Sequence, residues 1–178
     1  VIGFDLGMNT PGGFGQHIRV PSTWIVPLPV GLSLEESMII GTAGFTAALC
    51  LEKLEMTGLN PSMGPVLVTG STGGVGSVAV CLLSQLGYEV HAATGKDSQH
   101  DFLKDIGATA IVTREEVSEG SDRPMLKERW GAAIDTVGGE ILFNAVKSLK
   151  NGSSLAACGL VASPSIPATV LPFILRHV

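Results

Sequence analysis

The chain has 178 residues, 45% of them hydrophobic and 15% charged, which allows a core of ordinary size and excludes a disordered chain. A net charge of −5 and an aromatic content of 5% argue against a nucleic acid or an anionic membrane as partner. Cys50, Cys81 and Cys158 are odd in number and far apart in sequence, which speaks against a disulfide framework or a clustered metal site and points to a reducing, cytoplasmic compartment.

Residues 1–30 read as short β-like runs at 1–4, 17–20 and 24–26, punctuated by Gly12-Gly13, Pro21, Pro27 and Pro29. A helix follows from Leu34 to about Met56, with a break expected at 41–44. Its apolar span, 37–51, is shorter than a bilayer requires and reads as a buried helix. After a turn at 57–65 the pattern changes. Apolar strands are expected at 66–69, 88–93, 110–112, 132–137 and 155–158. Between them, helical spacing appears in Val75, Val78, Ala79, Leu82 and Leu83, in Phe102, Leu103 and Ile106, in Leu126 and Trp130, and in Ile141, Leu142, Ala145, Val146 and Leu149. Strands alternating with helices mean βαβ units and a parallel sheet covered on both faces. The chain opens within an apolar stretch and stops without a polar tail, so a longer parent protein is expected.

The most informative stretch is Gly70-Ser71-Thr72-Gly73-Gly74-Val75-Gly76, set between an expected strand and an expected helix. Glycines there let the backbone approach a pyrophosphate, and the helix start offers unpaired N–H groups and a positive dipole end. The glycines follow GxxGxxG from Gly70, and the spacing departs from GxGxxG because Ser71 stands at its first glycine position. The second strand ends Thr94-Gly95-Lys96, without the carboxylate that holds a ribose 2′-hydroxyl in NAD sites. A hydroxyl and an ammonium suit a 2′-phosphate, so NADPH is the expected cofactor, with Arg114 as a second cation. Asp97, one residue further on, would oppose this if the register shifted by one.

These stretches occur in one order with Gly41-Thr42-Ala43-Gly44-Phe45-Thr46-Ala47, Ile134-Asp135-Thr136-Val137-Gly138, Ala156-Ala157-Cys158-Gly159-Leu160 and Pro172-Phe173-Ile174-Leu175-Arg176. Together they resemble the medium-chain dehydrogenase/reductase superfamily, in its NADPH-dependent quinone oxidoreductase or acrylyl-CoA reductase branch. The resemblance implies an α/β fold: a Rossmann-type doubly wound parallel sheet over 31–178, lacking its last strand. Residues 1–30 would be the tail of a β-rich GroES-like catalytic domain. Thr72, Gly73, Gly74 and Val75 would wrap the pyrophosphate. Thr94, Gly95 and Lys96 would hold the 2′-phosphate, and Arg114 would lie near the adenine ribose. Thr42, Leu160 and Ile174 would flank the nicotinamide half. Zinc-dependent relatives have a cysteine where Thr42 stands, so a zinc-free enzyme is expected. It would reduce an activated C=C bond, as in a short 2-enoyl-CoA such as acryloyl-CoA. The alternatives are a quinone acceptor and a dinucleotide-binding module without turnover. The resemblance also implies a homodimer for the full-length protein.

No catalytic residue is assignable. Asp135, at a strand end, reads as a turn-capping carboxylate; Cys158 reads as a small buried residue, and Trp24 and Trp130 as packing. Tyr88 begins a strand away from the expected active edge.

Overall fold

The computed structural model describes residues 3–178. Its centre is a five-stranded parallel sheet in the order β3-β2-β1-β4-β5. The strands are β1 (Val66–Val68), β2 (Val90–Thr94), β3 (Ala110–Thr113), β4 (Trp130–Asp135) and β5 (Leu149–Ala157). This is the Rossmann order over five strands, with the reversal of direction between β1 and β4. The helices are α1 (Leu34–Met56), α2 (Gly74–Gln85), α3 (His100–Asp105), α4 (Arg114–Ser118), α5 (Gly139–Lys147) and α6 (Leu171–Arg176).

Side-chain alternation along each strand divides the core in two. Val66, Val68, Val90, Ala92, Ala132 and Ile134 face one side, where Ala47, Leu51 and Leu54 of α1 and Val80 and Leu83 of α2 cover them. Leu67, Ala93, Val112 and Ala133 face the other, against Val117 of α4 and Ala145 of α5. Strands buried on both faces must be continuously apolar, which is why β1 and β4 stand out in the sequence.

Three expectations need correction. No strand forms at 3–30; the chain there makes a bridge from Leu6 to Thr10 and a single 3₁₀ turn at Ser22–Trp24. Val1 and Ile2 lie outside the described residues. The Phe4 and Trp24 rings stack at 4.5 Å, so the apolar residues of the segment pack locally rather than pairing in a sheet. The expected helix through Leu126 and Trp130 is also absent. Trp130 opens β4, and the Leu126 N–H is drawn to the Lys147 carbonyl in an irregular crossover containing Pro124. The helix of this crossover lies earlier, at α4. Finally, α1 is buried on one face only: Gly44, Ala47, Cys50, Leu51 and Leu54 pack inward while Met38, Ile39 and Phe45 are exposed.

The caps of α1 and α4 have one logic. Ser33 Oγ accepts the Glu36 N–H and the Glu36 carboxylate accepts the Ser33 N–H at 2.8 Å. Thr113 and Glu116 repeat the arrangement on α4. These bonds to Ser33 hold the Glu36 carboxyl below the usual range. The expected break in α1 occurs at Gly41, whose φ of 52° and ψ of −156° leave the helical region. By length and composition α1 could cross a bilayer, but its inner face is committed to the core and Gly41 interrupts its hydrogen-bond ladder.

Tyr88 lies at the opposite end of β2 from Thr94, and its hydroxyl donates to Glu55 Oε1 at 2.9 Å. Burial, and then this hydrogen bond, push it up to about 12. The folded state therefore holds the phenolic proton more tightly than the unfolded chain, and the stability so gained is lost as pH rises from 10 to about 12. Denaturant midpoints measured across that window are expected to fall, and to fall less steeply in Tyr88→Phe. Cys158 contributes in the same direction: burial, and then neighbouring Cys50, push its thiol up to about 12.

Candidate functional site: a cleft at the strand carboxyl ends

β1 ends in a turn that Gly70 makes possible with φ of +60°. Ser71, at the first glycine position of GxGxxG, is wholly buried; its hydroxyl donates to the Val68 carbonyl at 2.6 Å and its N–H to the Ala93 carbonyl at 3.2 Å. The serine side chain turns back onto β1, so the turn keeps its shape without a glycine there. Gly76 is indispensable to this geometry. A Cβ on it would press on the Gly70 carbonyl oxygen and stand 2.8 Å from Ser71 Cα. α2 starts at Gly74 with no side-chain cap, which leaves its first-turn amides for an anion.

In front of this turn lies a cleft of about 470 Å³. Thr72 and Gly73 form one wall, and Thr94, Gly95, Lys96 and Arg114 form a second. The third consists of Thr136 and Val137 after β4 and of Val161 and Ala162 after β5. No lining residue is acidic. Among the described residues, neither Lys96 nor Arg114 pairs with a carboxylate. Asp97 points elsewhere: it is exposed, with its carboxylate 3.7 Å from His100. Asp97 is thus not part of the cleft lining.

The second wall brings a guanidinium close to the backbone. Thr94 pairs with Thr113 across β2 and β3, which brings Arg114 beside Gly95. A Cβ at Gly95 would stand 3.1 Å from Arg114 Nε, so glycine is what lets the guanidinium lie over the backbone. Thr94 Oγ1 accepts the Lys96 N–H at 3.1 Å, leaving the hydroxyl proton free to donate outward.

Six of the residues expected at the cofactor line this cleft: Thr72, Gly73, Thr94, Gly95, Lys96 and Arg114. Gly74 and Val75 begin α2 behind the turn, and a Cβ at Gly74 would lie 3.2 Å from Ala43. Thr42, Leu160 and Ile174 are exposed and outside the lining. Thr42 projects from α1 just past its break. Leu160 neighbours the wall at Val161. Ile174 is carried by α6, which Arg176 anchors to the carbonyls of Lys147 and Leu149, at the end of β5 away from the cleft. Thr69, Thr136, Val161 and Ala162 were not foreseen; their signal is position alone, at or just past the carboxyl ends of β1, β4 and β5.

Asp135 is a turn cap, as expected from its position: it accepts the N–H groups of Val137 and Gly138 at 3.2 and 2.7 Å. Among the described residues, no group of three or more His, Cys, Asp or Glu could hold a metal. His91 is bonded to Glu89 and set edge-on to Trp130, and Cys81 is exposed on α2.

Residues 74–178 match the family model described as zinc-binding dehydrogenase. Acrylyl-CoA reductase AcuI of Ruegeria pomeroyi is 48% identical over 99% of the chain, and "Putative quinone oxidoreductase YhfP" of Bacillus subtilis is 47% identical over 98%. The chain spans about half of these relatives, 53% of each. The crystal structure of the yhdH oxidoreductase of Salmonella enterica in complex with NADP superposes with a TM-score of 0.94 at 49% identity, covering 99% of this chain and 54% of that one. The B. subtilis yhfP structure, with NAD bound, gives 0.95 over 98% of this chain and 53% of that one. The zinc of the family description finds no donor set among the described residues. Because the family model matches more than half of the chain, the chain belongs to the zinc-binding dehydrogenase family, within the medium-chain dehydrogenase/reductase superfamily.

Proposed function

We propose that the chain is the NADPH-binding part of an oxidoreductase that reduces an activated C=C bond, with a short 2-enoyl-CoA such as acryloyl-CoA as substrate. One observation carries the cofactor half. The cleft has two cations without carboxylate partners, Lys96 and Arg114, and no acid, where an NAD site would place one against the ribose. The first-turn amides of α2 with Thr72 and Gly73 would hold the pyrophosphate. The Thr94 hydroxyl, Lys96 ammonium and Arg114 guanidinium would hold the 2′-phosphate, while Gly95 admits it closely. The nicotinamide half would then run toward the ends of β4 and β5, where Leu160 adjoins the wall; Thr42 and Ile174 enter this reading only as the resemblance implies. When bound, the nicotinamide supplies a hydride to an electrophilic carbon conjugated to a carbonyl. The chain's residues supply binding, orientation and charge neutralisation, and no step draws on zinc.

The substrate is proposed from the name of the R. pomeroyi relative. A quinone acceptor is the second reading, favoured by the name of the B. subtilis relative. Residues 1–30 are proposed as the end of a GroES-like domain, with 31–178 as the cofactor domain of a cytoplasmic homodimer. The chain alone is proposed to be inactive, so NADPH consumption by the full-length protein with acryloyl-CoA and with a simple quinone tests both substrates; turnover of neither would contradict both. Lys96→Ala is expected to weaken NADPH about tenfold and leave NADH unchanged, because Lys96 answers only the 2′-phosphate. Equal losses for the two nucleotides would remove Lys96 from that role.

A further inference from the structure

We propose that Asp135, acting through Thr69, is a positioning residue that holds the nicotinamide side of the cleft in register with the glycine turn. The proposal rests on the dinucleotide reading above. Asp135 is fully buried and has no cationic partner among the described residues. A buried carboxylate persists only where hydrogen bonds answer it. Oδ2 takes the two turn N–H groups already described, and Oδ1 accepts from Thr69 Oγ1 at 2.6 Å. Thr69 Oγ1 in turn accepts the Thr136 N–H at 3.1 Å, so its own proton must go to Asp135 and the chain of donors runs one way. The Thr136 hydroxyl returns to the Thr69 carbonyl at 2.9 Å.

Capping a turn would need only the bonds to Val137 and Gly138. The link to Thr69 does something more, because Thr69 directly precedes Gly70 and both line the cleft with Thr136 and Val137. The register then passes to the β5 side. The Cys158 N–H donates to the Asp135 carbonyl and the Ala162 N–H to the Val137 carbonyl, each at 2.8 Å. Gly138 pairs with Ser163, and a Cβ on it would stand 2.6 Å from the Ser163 carbonyl oxygen and 3.0 Å from Leu160 Cα. A displaced turn at 136–138 must therefore move the segment 158–163. The side chains of Thr94, Lys96 and Arg114 make no hydrogen bond to this network, so the two halves of the cleft can be disturbed separately.

The test is Thr69→Val, which keeps the shape and removes the hydroxyl, titrated with NADPH and with 2′-phospho-ADP-ribose, which lacks the nicotinamide. NADPH affinity is expected to fall about tenfold, the effect of one buried hydrogen bond. Affinity for 2′-phospho-ADP-ribose is expected to change by less than about twofold, and Thr69→Ser to restore NADPH binding. Equal losses for both ligands, or no loss for either, would overturn the proposal and leave the cofactor reading standing. Wild-type protein that binds neither ligand would overturn both. If Thr69→Val does not fold, Asp135→Asn is read by the same ratio of affinities.

Discussion

Gly76→Val is expected to abolish binding of both NADPH and NADH and to destabilise the fold by several kcal/mol. Even the first carbon of the new side chain would collide with the Gly70 carbonyl oxygen and crowd Ser71 Cα. These are backbone atoms, and they cannot turn aside as the end of a flexible side chain would. Ser71 is tied on both sides, to Val68 and to Ala93, so the turn cannot back away without losing bonds at the centre of the sheet. Overpacking ordinarily costs about 1–3 kcal/mol, and a clash against fixed backbone falls at or above that range. The destruction of the turn that presents the α2 amides would remove binding even in molecules that still fold. Nucleotide titrations and denaturation of the variant check both effects, and a variant with wild-type affinity would contradict this account of the turn.

Lys147→Met is expected to lower stability by on the order of 3 kcal/mol, or about 6–12 °C in Tm, with much less effect on nucleotide affinity. Lys147 is 1% exposed, and its ammonium donates to the carbonyls of Gly120, Ser121 and Arg123 at 3.3, 3.0 and 3.0 Å. Methionine fills similar volume but leaves those carbonyls unpaired. Burial depresses the Lys147 pKa, against the pull of Glu140 and Asp122, so the hydrogen bonds rather than an ion pair keep the group in place. Asn144 reinforces the same crossover by donating to the Val117 carbonyl and Ser121 Oγ. This bracing supports α4 from behind, while Arg114 reaches the cleft from its first residue. A thermal midpoint equal to wild type would contradict the bracing role.

The parts legible in the sequence are those whose causes are local. β1 and β4 read as strands because both of their faces are buried, and α1 reads with its break because Gly41 lies within an otherwise helical run. The glycine turn and Thr94-Gly95-Lys96 stand out because each is a short stretch at a strand end, and both line the cleft. α4 was readable in principle, since Thr113 and Glu116 spell a capping box, but five residues carry little periodicity. Leu126 and Trp130 misled because spacing by four is also met by chance, and a buried lysine far along the chain decides the path there. The third wall of the cleft was hidden for the same reason. Thr69, Thr136 and Ala162 come together only through the register of β1, β4 and β5 and the backbone bonds beyond their ends.

The most direct measurement is a fluorescence titration of the folded chain with NADPH and, separately, with NADH. The account predicts a preference for NADPH of at least about tenfold, or about 1.4 kcal/mol, carried by Lys96 and Arg114. Equal affinity for the two nucleotides, or a preference for NADH, would contradict the assignment of those cations to a 2′-phosphate.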